Sequence, residues 1–277
     1  MLQTFAQLRL DLSSAMTEFL DPFEAHAEAL RWFEEGLGKD RAWLLGHGDD
    51  PVPAGYRRRV SEWLRRRKKG EPWAYILGWT SFRGHRFEVN PAVLIPRPET
   101  ELVLEAALET GRRLAVDRVC DVGTGSGILA VCLALETDWQ VIASDLSSAA
   151  LEVARRNADL LEAPVDFFEG SLLEPIPGVL GLVVSNPPYV DPADRGVLQR
   201  ELTFEPASAL FAPDRGLALA TDLLRQALAR LAPACVVEIG AGQGDELSAR
   251  ATELGWRRIE VRKDWAGHDR VLIALGR

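Results

Sequence analysis

The sequence has few residues of the types that build disulfide frameworks or metal sites. It contains three cysteines and four histidines among 277 residues. Cys120, Cys132 and Cys235 lie in apolar segments without the paired spacing of metal ligands, so we expect them to be buried small hydrophobes in a reducing compartment. The histidines are scattered without an H-x-x-x-H or triad-like partner. We therefore predict no metal site and assign no histidine a catalytic role.

Long apolar runs and an excess of positive charge are also missing. No run of 18 apolar residues and no signal-peptide pattern occurs, which predicts a cytoplasmic protein without a membrane association. Lysine and arginine number 32 against 41 aspartates and glutamates, a formal net charge of −9. General nucleic-acid binding draws its affinity from cationic surfaces. The charge balance therefore opposes direct DNA binding.

The patterning that is present divides the chain into three parts. Residues 1–70 show helical periodicity and predict a small helical bundle. Residues 71–97 are rich in aromatic and alternating residues, which predicts a β-hairpin linker. Residues 98–277 alternate helix and strand patterns, which is typical of an α/β domain whose parallel sheet carries helices on both faces. We expect the last strand, Arg270 to Leu275, to pair antiparallel at the sheet edge.

A glycine-rich turn follows the first strand of this α/β domain. Residues 119–127 read VCDVGTGSG, and glycines of this kind let a backbone approach a ligand closely. The spacing is G-x-G-x-G with Asp121 two residues before Gly123, whereas a dinucleotide cradle has G-x-G-x-x-G. An acid at this position suits a cationic ligand, such as the amino group of the methionine part of S-adenosylmethionine. The turn predicts a nucleotide-type cofactor site.

A second acid supports this interpretation, and a second glycine turn competes with it. Asp145 ends the next strand, at about the 20-residue distance from Gly123 at which an acid reaches ribose hydroxyls. Residues 236–244, VVEIGAGQG, repeat the acid-x-G-x-G-x-G pattern. Too few residues follow this repeat to supply a further ribose-binding strand. We interpret it as a later strand-to-helix turn whose glycines serve packing.

The most informative motif is Asn186-Pro187-Pro188-Tyr189, which follows an apolar strand pattern. Ligands of open α/β sheets bind at the carboxyl ends of the strands. An Asn side-chain oxygen and the Pro187 carbonyl can together accept both hydrogens of a planar NH2 group. Such acceptors favour the pyramidal, nucleophilic form of the nitrogen, and Tyr189 offers an aromatic wall. Asn-Pro is also a common turn initiator, so the tetrapeptide alone leaves an ordinary loop as an alternative.

A basic cluster stands out against the acidic average. It comprises residues 57–59 and 65–69 around Trp63 and Leu64 on one predicted helix. The cluster is either a docking patch for an acidic partner or a solvated helix face. The tryptophans of the first eighty residues are expected to be packing residues rather than nucleobase stackers.

Taken together, these motifs resemble the release-factor glutamine methyltransferase family. The resemblance extends over nearly the whole chain and rests also on Glu71-Pro72, Leu77-Gly78, Phe82, the segment LIPRPET at residues 94–100, and Phe204-Glu205-Pro206. The segment 94–100 is the most discriminating, because Asn-Pro-Pro-Tyr also occurs in DNA adenine and ribosomal RNA guanine methyltransferases. The resemblance implies a Rossmann-like, S-adenosylmethionine-dependent methyltransferase sheet with a small N-terminal helical domain.

The resemblance also implies roles for individual residues. The cofactor S-adenosyl-L-methionine, released as S-adenosyl-L-homocysteine, would be bound by Asp121, Gly123, Thr124, Gly125, Ser126, Gly127, Asp145, Leu172 and Asn186. Asn186, Pro187 and Tyr189 would be catalytic. The substrate would be bound by Asn186, Pro187, Pro188, Tyr189, Arg97 and Glu99, with Thr100 beside them. Ser171 stands where relatives often have an acid, so the adenine amino group has no assigned partner.

The predicted function is methyl transfer to the glutamine side-chain amide of the Gly-Gly-Gln tripeptide in class I peptide chain release factors. We expect the protein to act as a monomer. No general base is assigned. One alternative is a nucleic-acid amine methyltransferase, because adenine N6 and guanine N2 present similar NH2 geometry. Another is a module that only binds S-adenosylmethionine, although such a sensor has no need to hold an amine.

Overall fold

The computed structural model describes residues 3–276 and shows two compact units, one ending at Leu77 and the other beginning at Gly78. This division follows a short helix, Trp73–Leu77, whereas the sequence pattern places the end of the helical domain near residue 70. Pro72 explains the difference, because its carbonyl accepts from the amides of Tyr75 and Ile76 and so begins a helix. The aromatic-rich segment that follows belongs to the second unit.

The first unit is helical. Its helices are α1 Phe5–Met16, α2 Pro22–Arg31, α3 Arg41–His47, α4 Ala54–Arg67 and α5 Trp73–Leu77. Asp21 caps α2, because its Oδ1 accepts from the amides of Phe23 and Glu24 at 2.8 and 3.1 Å. Pro22 occupies the first turn of α2, where a missing amide hydrogen removes no hydrogen bond of the helix. The dipeptide Asp21-Pro22 therefore starts a helix.

Tryptophan packing forms the centre of this first unit. Trp32 and Phe33 are fully buried. The Trp32 ring stacks on Trp73 with centroids 4.7 Å apart, and Trp63 meets both rings edge-on at 5.9 and 5.2 Å. Edge-to-face and stacked ring pairs of this kind stabilise the fold beyond the burial of their apolar surface. The expectation that tryptophans serve packing is confirmed for these three.

A hairpin opens the second unit. Strands β1 (Trp79–Phe82) and β2 (His85–Glu88) pair antiparallel. The two residues between them, Arg83 and Gly84, have φ angles of 53° and 78°. A two-residue turn with positive φ at both positions matches the twist of its strands. The predicted hairpin is confirmed.

The rest of the second unit surrounds one seven-stranded sheet. Its strands are β3 Arg118–Val122, β4 Gln140–Asp145, β5 Val165–Glu169, β6 Leu182–Ser185, β7 Ala234–Glu238, β8 Arg258–Lys263 and β9 Asp269–Leu275. The helices are α6 Thr100–Leu114, α7 Ile128–Glu136, α8 Ser148–Leu160, α9 Ala207–Leu210, α10 Ala218–Ala229 and α11 Gly244–Leu254. The strand order is β5-β4-β3-β6-β7-β9-β8, and β3 to β7 run parallel.

The last strand corrects one expectation. β9 does pair antiparallel, but with a neighbour on each side, β7 and β8. The edge is β8, whose side chains are half-buried or exposed, whereas residues 271–275 of β9 are buried. The hairpin β8–β9 therefore folds back so that its apolar strand enters the sheet and its charged strand faces solvent.

Two apolar layers cover the sheet, because strand side chains alternate between faces. Val119 and Val141 face one layer with residues of α6 and α7. Cys120 and Ile142 face the other with residues of α10 and α11. All three cysteines are free and buried, which confirms them as core residues. Within residues 3–276 no helix is both long and apolar enough to cross a membrane.

Candidate active site

A cavity of about 380 Å³ opens where β3, β4 and β6 end. Its volume lies in the range of small-molecule sites, which is about 300 to 1,000 Å³. Ten of the sequence-predicted site residues line it: Asp121, Gly123, Thr124, Gly125, Ser126, Asp145, Leu172, Asn186, Pro187 and Pro188. Gly127, Tyr189, Arg97 and Glu99 are not among the lining residues. The parallel sheet thus brings together side chains from three separate strand ends.

The glycine turn forms one wall of the cavity. Gly123 and Gly125 have φ angles of 68° and 56°, which favour glycine, and a Cβ at either position would meet no atom within 4 Å. Their bare backbone therefore faces open space. Gly127 has a different task, because a Cβ there would lie 3.2 Å from Ala154 of α8. It allows α7 to pack closely on α8.

Asp121 lies under this turn and is 1% exposed. Its Oδ2 accepts from the Thr124 hydroxyl at 2.6 Å and from the Ala130 amide at 3.2 Å. Its Oδ1 is buried and has no partner within the described residues. Burial raises the pKa of this carboxyl to about 7, against the lowering effect of those two hydrogen bonds. One oxygen is thus left for a positively charged donor.

Asp145 joins two parts of the site. Its Oδ2 accepts from the Gly125 amide at 2.9 Å, and its Oδ1 accepts from the Ser147 amide at 2.8 Å. Burial raises the pKa of this carboxyl, although the hydrogen bonds from Ser147 and Gly125 oppose the effect. Each carboxylate oxygen can accept a further bond. The Gly125 amide is thus engaged by Asp145 rather than left as a free donor.

Asn186, which follows β6, lines the cavity. Its Nδ2 donates to Thr100 Oγ1 at 3.1 Å, and its Oδ1 is buried with no partner within the described residues. Pro187 is buried beside it and also lines the cavity. An unpaired buried acceptor is costly to leave unsatisfied, by about 1 to 3 kcal/mol. The arrangement is suited to a ligand that donates hydrogen bonds.

Tyr189 turns away from the cavity towards the second glycine turn. Its hydroxyl donates to Glu238 Oε1 at 3.2 Å, and burial raises the pKa of the phenol above its usual range. The turn itself is filled by Gln243, which accepts from the Gly240 amide and donates to the Tyr189 carbonyl. No residue from 239 to 244 lines the cavity. The turn connects β7 to α11, as the sequence pattern predicts.

Arg97 and Glu99 flank the start of α6. The Arg97 guanidinium forms an ion pair with Glu205, whose other oxygen accepts from the Ile95 amide at 3.1 Å. This contact ties the segment before α6 to the segment before α9. Glu99 is half-buried and lies one residue before α6.

Comparison with known proteins places this site in a family. Residues 12–78 match the family described as PrmC N-terminal domain, and residues 99–214 match the methyltransferase small domain. A release factor glutamine methyltransferase from Bordetella pertussis is 41% identical over 91% of this chain and 95% of its own length. The chain belongs to the release factor glutamine methyltransferase family. Another member, from Neisseria gonorrhoeae, is 44% identical over 84% of this chain and 87% of its own length.

A solved structure supports the fold of this release factor glutamine methyltransferase family member. The hMettl16 catalytic domain, in complex with MAT2A 3′UTR hairpin 1, has a TM-score of 0.59 at 13% identity and covers 96% of this chain and 91% of its own. At that identity the likeness shows the fold alone. The predicted Rossmann-like methyltransferase fold is confirmed.

In this family member the basic cluster lies on and just after α4. Four of its cations form ion pairs inside the first unit: Arg65 with Glu62, Arg66 with Glu71, Arg67 with Glu28, and Lys68 with Glu18. Arg67 is itself buried. Arg58 and Arg59 are exposed. The outward positive charge of the cluster is therefore smaller than the sequence suggests.

Two contributions to the site could not be read from the sequence. Leu146 lines the cavity while remaining 72% exposed, and only its place after Asp145 signals it. Glu238 is 1% exposed and joins Tyr189 from within the second glycine turn. Burial raises the pKa of the Glu238 carboxyl to about 7. The sequence gives one indication of Glu238: it follows an apolar strand pattern, and parallel strands end at the same edge of the sheet as Asn186.

Proposed function

We propose that this chain transfers a methyl group from S-adenosylmethionine to the side-chain amide nitrogen of the glutamine in the Gly-Gly-Gln motif of class I release factors. The observation that carries the proposal is Asn186, a residue of the cavity wall whose buried Oδ1 has no hydrogen-bond partner within the described residues. Membership in a family whose members are named release factor glutamine methyltransferases supports the substrate.

The residues of the glycine turn fit the cofactor. Asp121 Oδ1 is available to the cationic amino group of the methionine part, and the bare backbone at Gly123 and Gly125 leaves room beside it. Asp145 would accept from the ribose hydroxyls, and Leu172 would contact the adenine. The sulfonium of the bound cofactor supplies an activated methyl group and a good leaving group. The protein's task is then to position the nitrogen.

The residues of the Asn-Pro-Pro-Tyr loop would perform that positioning. Asn186 Oδ1 and the Pro187 carbonyl accept the two hydrogens of the glutamine NH2 group. Acceptors matched to the reacting geometry stabilise the pyramidal nitrogen more than the planar amide, which lowers the barrier. Small neighbours of the glutamine, as in Gly-Gly-Gln, let the side chain enter the slot. The extra proton leaves to solvent after transfer, so no general base is required.

The first unit is proposed to contact the release factor, and the chain is proposed to act as a monomer without direct DNA binding. A nucleic-acid amine methyltransferase is the second candidate, because adenine N6 and guanine N2 present an NH2 group of similar geometry to the same loop. The net charge of −9 opposes it, since nucleic-acid affinity depends on neutralising phosphates.

Labelled S-adenosylmethionine tests the proposal directly. The chain is incubated with separate pools of release factor, unrelated protein, DNA and RNA, and the label is counted. Release factor should be labelled, and a release factor whose motif glutamine is replaced should not. Asn186→Ala should lower kcat far more than it raises KM, because the contact is strongest in the transition state. Labelling of adenine-containing nucleic acid in place of release factor would replace the proposal by the second candidate.

A further inference from the structure

The side chain of Gln243 connects the second glycine turn to the Asn-Pro-Pro-Tyr loop. Its Nε2 donates to the Tyr189 carbonyl at 3.0 Å and to the Arg215 carbonyl at 3.1 Å. Its Oε1 accepts from the Gly240 amide at 2.7 Å. A side-chain amide has two hydrogens to donate and one oxygen that accepts. Both hydrogens and the oxygen are thus engaged, and one side chain joins three separate backbone segments.

Two glycines leave the space that these contacts need. A Cβ at Gly216 would lie 1.9 Å from the Tyr189 carbonyl oxygen and 2.8 Å from Gln243 Nε2. A Cβ at Gly240 would lie 3.0 Å from Gln243 Oε1 and 3.3 Å from Cδ2 of the Tyr189 ring. Carbon atoms in favourable contact lie about 3.5 to 4.0 Å apart. The backbone on both sides therefore approaches Gln243 and Tyr189 more closely than a residue with a side chain would permit.

The end of the Asn-Pro-Pro-Tyr loop has further attachments. The Tyr189 hydroxyl donates to Glu238 Oε1 at 3.2 Å. The next residue, Val190, donates its amide hydrogen to the Leu210 carbonyl at 2.9 Å and accepts from the Ala212 amide at 3.1 Å. The loop is thus fixed to the end of β7, to the second glycine turn and to the end of α9.

The two prolines make the loop stiff. Proline has a fixed φ angle and no amide hydrogen, so Pro187 and Pro188 neither rotate freely nor donate a backbone hydrogen bond. A displacement of Tyr189 is therefore passed on to the Pro187 carbonyl and to Asn186. A misplacement of about 1 Å at a reacting group can cost about a hundredfold in rate. The position of the Tyr189 carbonyl thus affects the acceptors of the substrate slot.

We propose that Gln243, through its hydrogen bond to the Tyr189 carbonyl, fixes the position of the Asn-Pro-Pro-Tyr loop and so places the acceptors that hold the substrate NH2 group. Gln243 and Tyr189 are positioning residues in this proposal, because neither lines the cavity. The second glycine turn then serves the reaction without binding the cofactor. The proposal rests on the proposed function for the roles of Asn186 and the Pro187 carbonyl, but the mobility of the loop can be measured without turnover.

Kinetics of two variants at saturating S-adenosylmethionine and pH 8 test this role. Gln243→Leu should reduce kcat about ten- to a hundredfold, with less than about a threefold change in the KM for release factor and in cofactor affinity. Gln243→Glu keeps an acceptor for the Gly240 amide, but its ionised carboxylate has no donor for the Tyr189 carbonyl. It should lower kcat to a similar extent, and it keeps the test valid if the leucine variant does not fold.

Trp256→Phe is the matched control. The Trp256 indole donates to the Leu224 carbonyl at 3.2 Å, which is also a hydrogen bond from a side chain to a backbone carbonyl of the second unit. Trp256 follows the end of α11, the helix whose other end begins just after Gln243. Its substitution should leave kcat within about twofold of the wild type, because it removes no contact of the loop. Thermal unfolding and calorimetric cofactor binding check that each variant is folded.

Amide hydrogen exchange in the unliganded chain provides a readout that does not depend on activity. The Val190 amide lies next to Tyr189 and should exchange about tenfold or more faster in both Gln243 variants than in the wild type, because the loop opens locally. The Val190 exchange rate should not change in Trp256→Phe. A general loss of stability would instead raise exchange throughout the second unit.

The outcomes separate the two proposals. A kcat close to the wild-type value in folded Gln243 variants, unchanged Val190 exchange, or an equal loss of kcat in Trp256→Phe overturns the role of Gln243. If the wild type leaves release factor unlabelled while Val190 exchange responds to Gln243 as described, the proposed function fails and the role of Gln243 in holding the loop stands.

Discussion

Gly125 donates its amide hydrogen to Asp145 Oδ2 at 2.9 Å, so the acid at the end of β4 holds the glycine turn that follows β3. The other carboxylate oxygen accepts from the Ser147 amide, at the start of α8. Asp145 thus organises the cavity wall in addition to its proposed contact with the ribose. A substitution of Asp145 therefore affects both the glycine turn and the proposed contact with the ribose.

Asp145→Asn should weaken S-adenosylmethionine binding about ten- to a hundred-fold, because a hydrogen bond to a charged group is worth about 1.5 to 3 kcal/mol. The isosteric amide keeps one acceptor oxygen, for either the Gly125 or the Ser147 amide, so the fold should be retained, whereas Asp145→Ala removes both hydrogen bonds. Isothermal calorimetry with thermal unfolding separates the two effects. Gly242→Asn is the control, since Gly242 has φ 80° and open space around it. Lost binding in this control would mean that the second turn holds the cofactor.

Asp121→Asn should stabilise the unliganded chain at pH 8 and weaken cofactor binding. The pKa of the carboxyl is raised from 3.8 to about 7. Between these two pH values the folded state therefore keeps a proton that the unfolded state has released. Stability from this group is therefore present at low pH and is lost as the pH rises through about 7.

The difference in unfolding free energy between Asp121→Asn and wild type should grow by about 1 to 3 kcal/mol from pH 5 to pH 8. Urea titrations at both pH values measure it. A difference that does not change with pH would show that Asp121 is not protonated in this interval.

Asn157→Ala should lower the unfolding free energy by about 2 to 4 kcal/mol. Asn157 is fully buried, accepts from the Glu88 amide at 2.7 Å, and donates to the carbonyls of Glu88 and Ser126 at 3.0 and 2.8 Å. Its removal leaves three backbone groups unsatisfied between the hairpin and the glycine turn. The exposed Glu152 on the same helix offers the control, and Glu152→Ala should change stability by less than about 0.5 kcal/mol.

Reversing the charges of Arg58 and Arg59 together should slow methylation of whole release factor at low salt and have less effect at high salt. Both side chains are exposed on α4 of the first unit, and charge complementarity chiefly accelerates encounter. Arg112 and Arg113 on α6 are an exposed pair with the same charge change and serve as the control. Equal rates for both double variants would identify the cluster as a solvated helix face.

The elements predicted from the sequence are those that depend on local pattern. Apolar runs located the central strands, and the glycine spacing located the turn at Gly123. The acid at the ribose distance, Asp145, lines the same cavity as that turn. Asn186 lies there too, because parallel strands end at one edge of the sheet.

The features that the sequence could not predict are partnerships between distant side chains. Nothing near Arg67 in the sequence indicates that it pairs with Glu28, so the cluster is interpreted from the sequence as uniformly basic. Thr100 and Asn186 lie far apart along the chain, and their hydrogen bond forms only because α6 packs on the sheet. The edge position of β8 likewise depends on how one hairpin folds back, since both of its strands have strand-like patterns.

Gln243 gives the repeated glycine pattern a wider meaning. Its side-chain amide accepts from the Gly240 backbone and donates to two carbonyls, those of Tyr189 and Arg215. The Gln243 side chain thus occupies the space inside its own loop, and it forms hydrogen bonds with backbone groups that a nucleotide would otherwise contact. When two such patterns occur in one sequence, the residue types between the glycines can distinguish them. Small residues such as Thr124 and Ser126 leave the turn open, and a glutamine closes it.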